Sequence, residues 1–370
     1  MMVQLGFSIY PEHYSLQDSQ EYIHLLHRYG ARRMFLSLLQ LETSKPEVFD
    51  LYRELISYAN QLGITVVADV CPRFIQAQGW QDSLMEHVAE FGLAGIRLDE
   101  ALPLDEIIEL TNNPYGIKIE LNLSTDKTLL TKLLVSSANL DNVIACHNFY
   151  PHAYTGLSEE YFLEMSSFYH RSGIQTAAFV SAQSATEGPW PLSEGLPTLE
   201  DHRYLPIPLQ IAWLKATGLI DCILISNQFV SEEELQSIQE VLKGEQIRLM
   251  VEVEDGLTSV EQEIVTFPHV YRGDVSAYVL RSTMPRVVYQ DVSIPARSDQ
   301  MMTVQRGDIL IDNDLYGRYK GELQIALKEF TVSSKVNRVG RICPSYLPLL
   351  SLIKPWREFQ LIINSSEHFH

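Results

Sequence analysis

Long apolar runs are missing from this 370-residue chain: no stretch of about 18 consecutive hydrophobic residues occurs, so no helical membrane span is expected. The opening MMVQLGFSIYPEHYS has no basic segment, no apolar core and no small-residue cleavage site, which argues against a secretory leader. Cysteine is scarce, and Cys71, Cys146, Cys222 and Cys343 stand singly with no C-x-x-C pair. That removes a zinc knuckle and a disulfide framework, and reduced thiols in a cytoplasmic protein are the expectation. No H-x-H or H-x-x-x-H pair falls in the body of the chain, so neither a metal site nor a cofactor is expected. Basic side chains are outnumbered, 28 against 47 acidic ones, for a net charge of -19. Such a field repels nucleic acid and anionic lipid, and neither is an expected partner. An anionic ligand needs a local cluster of Arg or Lys to overcome it.

What is present is a rhythm. Short β-rich runs recur at 3–10, 32–38, 64–70, 94–99, 116–122, 142–148, 174–180 and 220–226. Between them lie helical patterns such as SLQDSQEYIHLLHRYG and SEEELQSIQEVLKG, each opening on Ser and stopping at Gly, as helix caps do. Eight strand–helix units predict a (β/α)8 TIM barrel over residues 1–243. An open doubly wound sheet is the weaker alternative, since no Gly-rich phosphate loop follows the first strand. From 244 to 363 the helical period fades, and QIRLMVEVED, AYVLRST, RVVYQDVS, MTVQRGDILIDND and GELQIALKEF read as strands of a smaller all-β domain. The tail 364–370 is expected to fray. Inside the barrel pattern, the connection at 181–203 is too long and too irregular for a plain turn, which suits an active-site loop.

The C-terminal ends of barrel strands form the catalytic face, and side-chain alternation says which groups point into the lumen. Glu12 follows strand 1, Asp69 and Arg73 strand 3, Asp99 strand 4, and His147, Asn148 and Tyr150 strand 6; Glu120 and Asn122 share one face of strand 5, and Glu194 lies in the long loop. Strand ends are where apolar wall gives way to an open mouth, and unpartnered buried carboxylates there are costly enough to need a use. Asp99 and Glu120 come from adjacent strands, about 4.8 Å apart, so their oxygens fall within roughly 5–9 Å, the separation used in glycoside hydrolysis. Capping or pairing with Arg97 explains any one carboxylate equally well, and His147 reads as either a satisfied core histidine or a ligand. Aromatic residues in the post-strand loops, among them Tyr10, Trp80, Phe149, Tyr150, Tyr154 and Trp190, suit stacking on sugar rings as well as core packing. In the second domain Arg281, with Arg272, Arg286 and Arg297, concentrates positive charge that suits an anion, although scattered surface arginine explains any one of them better.

The segments LGFSIYPE, VVADVCPRF, GIRLDE, IELNLS, HNFYPHAYTGLS and GPWPLSEGLPTLEDHR resemble the MupG-like 6-phospho-N-acetylmuramidase family of bacteria along the whole chain. The chain departs at GPWPLSEG, where Trp190 and an added Ser alter the loop. The resemblance implies a cyclophilin-like second domain and cytoplasmic hydrolysis of a 6-phosphorylated N-acetylmuramyl-N-acetylglucosamine disaccharide during cell-wall recycling. On that expectation Asp99 and Glu120 are the catalytic carboxylates, or one of them orients a substrate acetamido group that acts as nucleophile. Glu12, Asp69, Arg73, Asn122, His147, Asn148, Tyr150, Glu194 and Arg281 then bind substrate. Two rivals stand beside it: a non-catalytic sugar-phosphate binding or regulatory protein, and a lyase using Lys118 as a Schiff-base amine. A homo-oligomer is compatible with all three.

Overall fold

The structure is a computed structural model that describes residues 3–39, 41, 46–98, 102–125, 127–185, 187–189 and 194–364. Its contacts divide the chain into two compact units, Met1–Lys243 and Gly244–His370.

In the first unit, β1 (Gln4–Ser8), β2 (Ala31–Ser37), β3 (Thr65–Val70), β4 (Gly95–Leu98), β5 (Lys118–Asn122), β6 (Val143–Cys146), β7 (Gln175–Val180) and β8 (Cys222–Ile225) close into a barrel in sequence order. Every pairing is parallel, including β1 with β8. The Val-, Ile- and Ala-rich strands suit a sheet covered on both faces, whose runs need not alternate strictly. Phe35, Cys146, Ala177, Phe179, Cys222 and Leu224 pack as one apolar cluster from four of these strands. Buried among them, the Cys146 thiol is pushed up by burial and by the Glu120 charge, and that of Cys222 reaches about 11 by burial, so both are inert hydrophobes.

The expected caps hold. Ser15 Oγ accepts from Asp18 N at 3.1 Å ahead of helix Leu16–Arg28, and Ser231 Oγ accepts from Glu234 N at 3.2 Å ahead of helix Glu232–Lys243. These helices fix the strand order by returning the chain to the same end of the barrel after each strand. No helix among the described residues is long and apolar enough to cross a membrane.

The second unit is mostly β. Strands β9 (Ile247–Val253), β10 (His269–Val270), β11 (Val279–Ser282), β12 (Met302–Val304), β13 (Asp308–Asp312), β14 (Leu323–Ala326), β15 (Phe330–Val332), β16 (Val336–Ile342) and β17 (Glu358–Ile363) form two sheets. The larger has the order β10-β17-β9-β16-β13-β14-β11 and the smaller pairs β12 with β15. Arg272 N donates to Arg281 O at 2.9 Å, drawing the two edges together into a nearly closed, barrel-like sheet.

Two expectations for this unit need correction. RVVYQDVS is not a strand: Met284–Val288 is a short helix, because Pro285 in its first turn supplies a pre-set φ and needs no hydrogen bond there. Helix Ser259–Val265 was hidden in the β-rich texture, yet Thr258 and Glu261 form a full capping box that the T-x-x-E spacing announces.

Candidate active site

Register sets the site. Ser37 pairs with Asp69, Asp69 with Arg97, and Arg97 with Glu120, so four neighbouring strands bring one polar row to a single level of the lumen. Arg97, only 6% exposed, is its centre. Its Nε lies 3.5 Å from Asp69 Oδ1 and its Nη1 3.9 Å from Glu120 Oε1. Nη1 also donates to His147 O at 3.4 Å, and Nη2 donates to Asn148 Oδ1. The planar guanidinium thus ties β3, β5 and the segment after β6 together in one fork.

Glu120 sits deeper than a strand-end reading suggests. Its side chain is 0% exposed, its Oε2 accepts from Arg33, and it lies between two guanidinium groups. Asp69 keeps 17% of its side-chain surface open, and of the carboxylates described in this row it is the one a ligand can touch. Asp99, the other expected catalytic carboxylate, lies outside the described residues, as does Trp190.

A second network supports the wall after β6. His147 is fully buried and uses both ring nitrogens on hydroxyls, Nδ1 with Ser124 Oγ at 3.0 Å and Nε2 with Ser166 Oγ at 2.9 Å. Burial, with the Arg97 charge in support, holds its pKa well below the usual histidine value, so it stands neutral as a structural pin. Ser124 Oγ also accepts from Asn148 N at 2.9 Å, and Asn122 Oδ1 accepts from Ser124 N at 3.0 Å. Half-buried Tyr150 has its hydroxyl against Ser124 and Asn148, and burial raises its pKa. His147, Asn122, Asn148 and Tyr150 are therefore one hydrogen-bonded set, joined to Asp69 and Glu120 through Arg97.

The remaining expected residues fall elsewhere. Glu12 accepts from the Tyr52 hydroxyl; its charge and that of Asp69 both bear on Tyr10, whose buried hydroxyl donates to Ser226 O at 2.6 Å. Glu194 accepts from Ala153 N at 2.7 Å, a bond that clips the 181–203 loop to the post-β6 segment. Arg73 is exposed on the first turn of helix Pro72–Gln78. Arg281 belongs to the second unit, where Nη2 meets Asp274 Oδ2 at 2.7 Å and Nη1 lies 3.8 Å from Glu322 Oε1. Lys118 is the first residue of β5, at the end of the barrel opposite the mouth, and donates to Asp141 O at 2.6 Å. The Schiff-base reading is corrected by that placement.

One assembly was not foreseen. Arg203, with a side chain 0% exposed, donates to Glu200 through Nε at 2.8 Å and Nη2 at 2.6 Å, and to the carbonyls of Tyr150, His152, Glu194 and Gly195. The Arg203 hydrogen bond, helped by the N–H groups of Tyr154 and Gly156 and opposed by burial, pulls the Glu200 carboxyl down to about 2. This pair, buried on its Arg203 side, locks the loop to the mouth, and it presents Tyr154, 87% exposed, in a left-handed conformation at φ 68°. Among the described residues no cluster of three or more His, Cys, Asp or Glu is arranged to hold a metal ion.

The family model described as 6-phospho-N-acetylmuramidase, N-terminal, matches residues 5–240, and its C-terminal counterpart matches residues 247–362. A crystal structure of an uncharacterized B. cereus protein is 39% identical, with a TM-score of 0.85 over 98% of this chain and 100% of that one. A conserved Enterococcus faecalis protein of unknown function is 25% identical, with a TM-score of 0.73 over 98% of this chain and 97% of the other. No curated protein matches.

Proposed function

The chain belongs to the 6-phospho-N-acetylmuramidase family and is a glycosidase, and from that premise we propose that it cleaves a 6-phosphorylated N-acetylmuramyl-N-acetylglucosamine disaccharide in the cytoplasm during cell-wall recycling. The observation that carries the reading is the Arg97 fork, which holds one accessible carboxylate, Asp69, beside the amide of Asn148 in a lumen lined by hydrogen-bonding groups. An anionic carboxylate held in this way suits positive charge developing at the sugar carbon, or a 2-acetamido group that must be oriented for attack. Asp99, which follows the last residue of β4 in the sequence, is the proton donor to the leaving oxygen in this scheme. Glu120, with no exposed surface, acts as a positioning residue that fixes Arg97 from below. Asn148 and Tyr150 bind the acetamido group and hydroxyls, and Tyr154 offers an aromatic face to a sugar ring.

The test is turnover of the phosphorylated disaccharide, followed by mass spectrometry of the released sugar phosphate. Asp69→Asn and Asp99→Asn are each expected to lower kcat by about 10²–10⁴, the usual worth of a positioned acid or base. Glu120→Gln is expected to lower stability as well, by about 3–5 kcal/mol, because Arg33 loses its buried counter-charge. Near wild-type turnover by both aspartate variants would sink the assignment. Equal kcat/KM on the unphosphorylated disaccharide would sink the substrate.

A further inference from the structure

Given that the mouth is the glycosidase site proposed above, we propose that a buried relay, Ser166–His147–Ser124, makes Tyr150 the acceptor for a substrate acetamido N–H. The Asn148 amide is its companion, donating to the acetamido carbonyl. Ser166, His147 and Ser124 are positioning residues, and Tyr150 and Asn148 are the pair that selects an N-acetylated sugar.

The protons of the relay can be counted. Ser124 Oγ has one proton and two lone pairs, and it already accepts from Asn148 N at 2.9 Å. Its proton goes inward to His147 Nδ1, 3.0 Å away, or outward to the Tyr150 hydroxyl that lies against it. Burial and the Arg97 charge keep His147 neutral, so one ring nitrogen carries a proton and the other accepts one. Phe162 stacks on the imidazole with ring centroids 4.6 Å apart, which holds the ring plane and keeps Nε2 on Ser166 Oγ at 2.9 Å.

Ser166 decides between the two directions. It is 0% exposed inside helix Glu159–Arg171. A serine within a helix turns its hydroxyl proton to the carbonyl four residues back, which for Ser166 is that of Phe162. Its oxygen is then the acceptor and Nε2 the donor, so Nδ1 is bare and Ser124 donates to it. The second lone pair of Ser124 takes the Tyr150 proton, and Tyr150 keeps only lone pairs for a ligand. Beside it, Asn148 Oδ1 accepts from Arg97, which leaves Nδ2 as a donor. A fixed acceptor next to a fixed donor matches the N–H and C=O of a secondary amide. A hydroxyl in the amide's place leaves one of them unpaired, and that mismatch is what discriminates.

Two measurements test this. Nitrogen-15 NMR reads the His147 tautomer in the free chain. Calorimetric titration compares N-acetylglucosamine 6-phosphate with glucose 6-phosphate, which differ at the 2-position. The native chain is expected to show Nε2–H at His147 and to bind the acetamido sugar about tenfold more tightly, the worth of one well-made hydrogen bond. Tyr150→Phe, which removes the acceptor and keeps the ring, should cut that ratio about fivefold. Ser166→Ala strands Nε2–H in a buried site, so the ring proton should move to Nδ1, Ser124 should turn its own proton to Tyr150, and the ratio should fall likewise. Should that variant fail to fold, the native tautomer and the half-buried Tyr150 still decide the matter. An Nδ1–H tautomer in the native chain, no preference for the acetamido sugar, or a ratio that Tyr150→Phe leaves unchanged overturns the proposal. Neither measurement needs turnover. A chain that passes both yet leaves the disaccharide uncut loses the glycosidase substrate alone, and one that cuts it but fails them loses the relay alone.

Discussion

Arg97 donates to the side-chain oxygen of Asn148, and that bond decides which end of the amide faces the mouth. With Oδ1 taken by the guanidinium and the backbone N–H given to Ser124, the Nδ2 group is left as the donor beside Tyr150. Asn148→Asp keeps an acceptor for Arg97 but replaces the donor with a second anionic oxygen. The expected outcome is an unchanged or raised melting temperature together with a fall in kcat/KM of about 10–100-fold, the worth of one lost hydrogen bond to a charged or polar group. A variant within twofold of wild type would show that the amide does not meet substrate.

Gly156 is placed where nothing larger fits. A Cβ there would lie 2.7 Å from Glu200 N and 2.8 Å from Glu200 Oε2. Gly156→Ala is expected to push the carboxylate off Arg203 and leave a guanidinium with 0% exposure without its counter-charge. The loss should approach about 3 kcal/mol in urea unfolding, and the 181–203 loop should be cleaved faster by proteases. Preserved stability would mean that Glu200 can shift without losing the pair.

Tyr154 combines exposure with a left-handed backbone, which costs a non-glycine residue roughly 1–2 kcal/mol. Tyr154→Gly is expected to recover up to about 1 kcal/mol of stability, since glycine takes positive φ freely. The same change should raise KM for the disaccharide several-fold, and Tyr154→Phe should restore it if the ring stacks on sugar. Stability and KM moving in opposite directions is the signature of strain kept for a contact. A glycine variant with unaltered KM would reduce Tyr154 to a surface accident.

These residues show how far sequence reading reaches. The eight barrel strands were legible because each is a short β-rich run between capped helical segments. Depth was not legible: the stagger of neighbouring strands pairs Glu120 with Arg97, below the mouth, and no single strand encodes that offset. Arg33 could have been found, since it shares parity with Phe35 and Ser37 while the adjacent Arg32 points away. Ser124 and Ser166 carry no signal at all, because their meaning comes from a histidine 23 and 19 residues distant. Arg203 stood inside a quoted segment, LPTLEDHR, but its partners are mostly backbone carbonyls, which a sequence cannot show.

The two units should respond differently to acid. In the barrel unit, burial, joined by the Arg97 charge, lowers the pKa of His147, and burial draws that of His202 down to about 3. Their folded pKa values lie below the unfolded value near 6.5, so the unfolded chain binds more protons in between, and stability present above about pH 6.5 is lost as pH falls. Each contributes a slope of about 1.4 kcal/mol per pH unit in that window. In the second unit His269, drawn down to about 4 by burial, acts in the same direction. Asp312 acts against it: burial and then the Glu322 charge raise its carboxyl to about 7, so its contribution is complete below the unfolded value near 3.8 and lost as pH rises through 7. Between about pH 4 and 6.5 these two slopes cancel. Hydrogen exchange read on peptides of each unit is therefore expected to show protection falling from pH 6.5 to 5 in the barrel and staying nearly level in the second unit, after correction for intrinsic exchange. His202→Gln should flatten the barrel slope by one proton, and Asp312→Asn should expose the slope of His269. Parallel loss in both units of the unaltered chain would refute the opposition between His269 and Asp312.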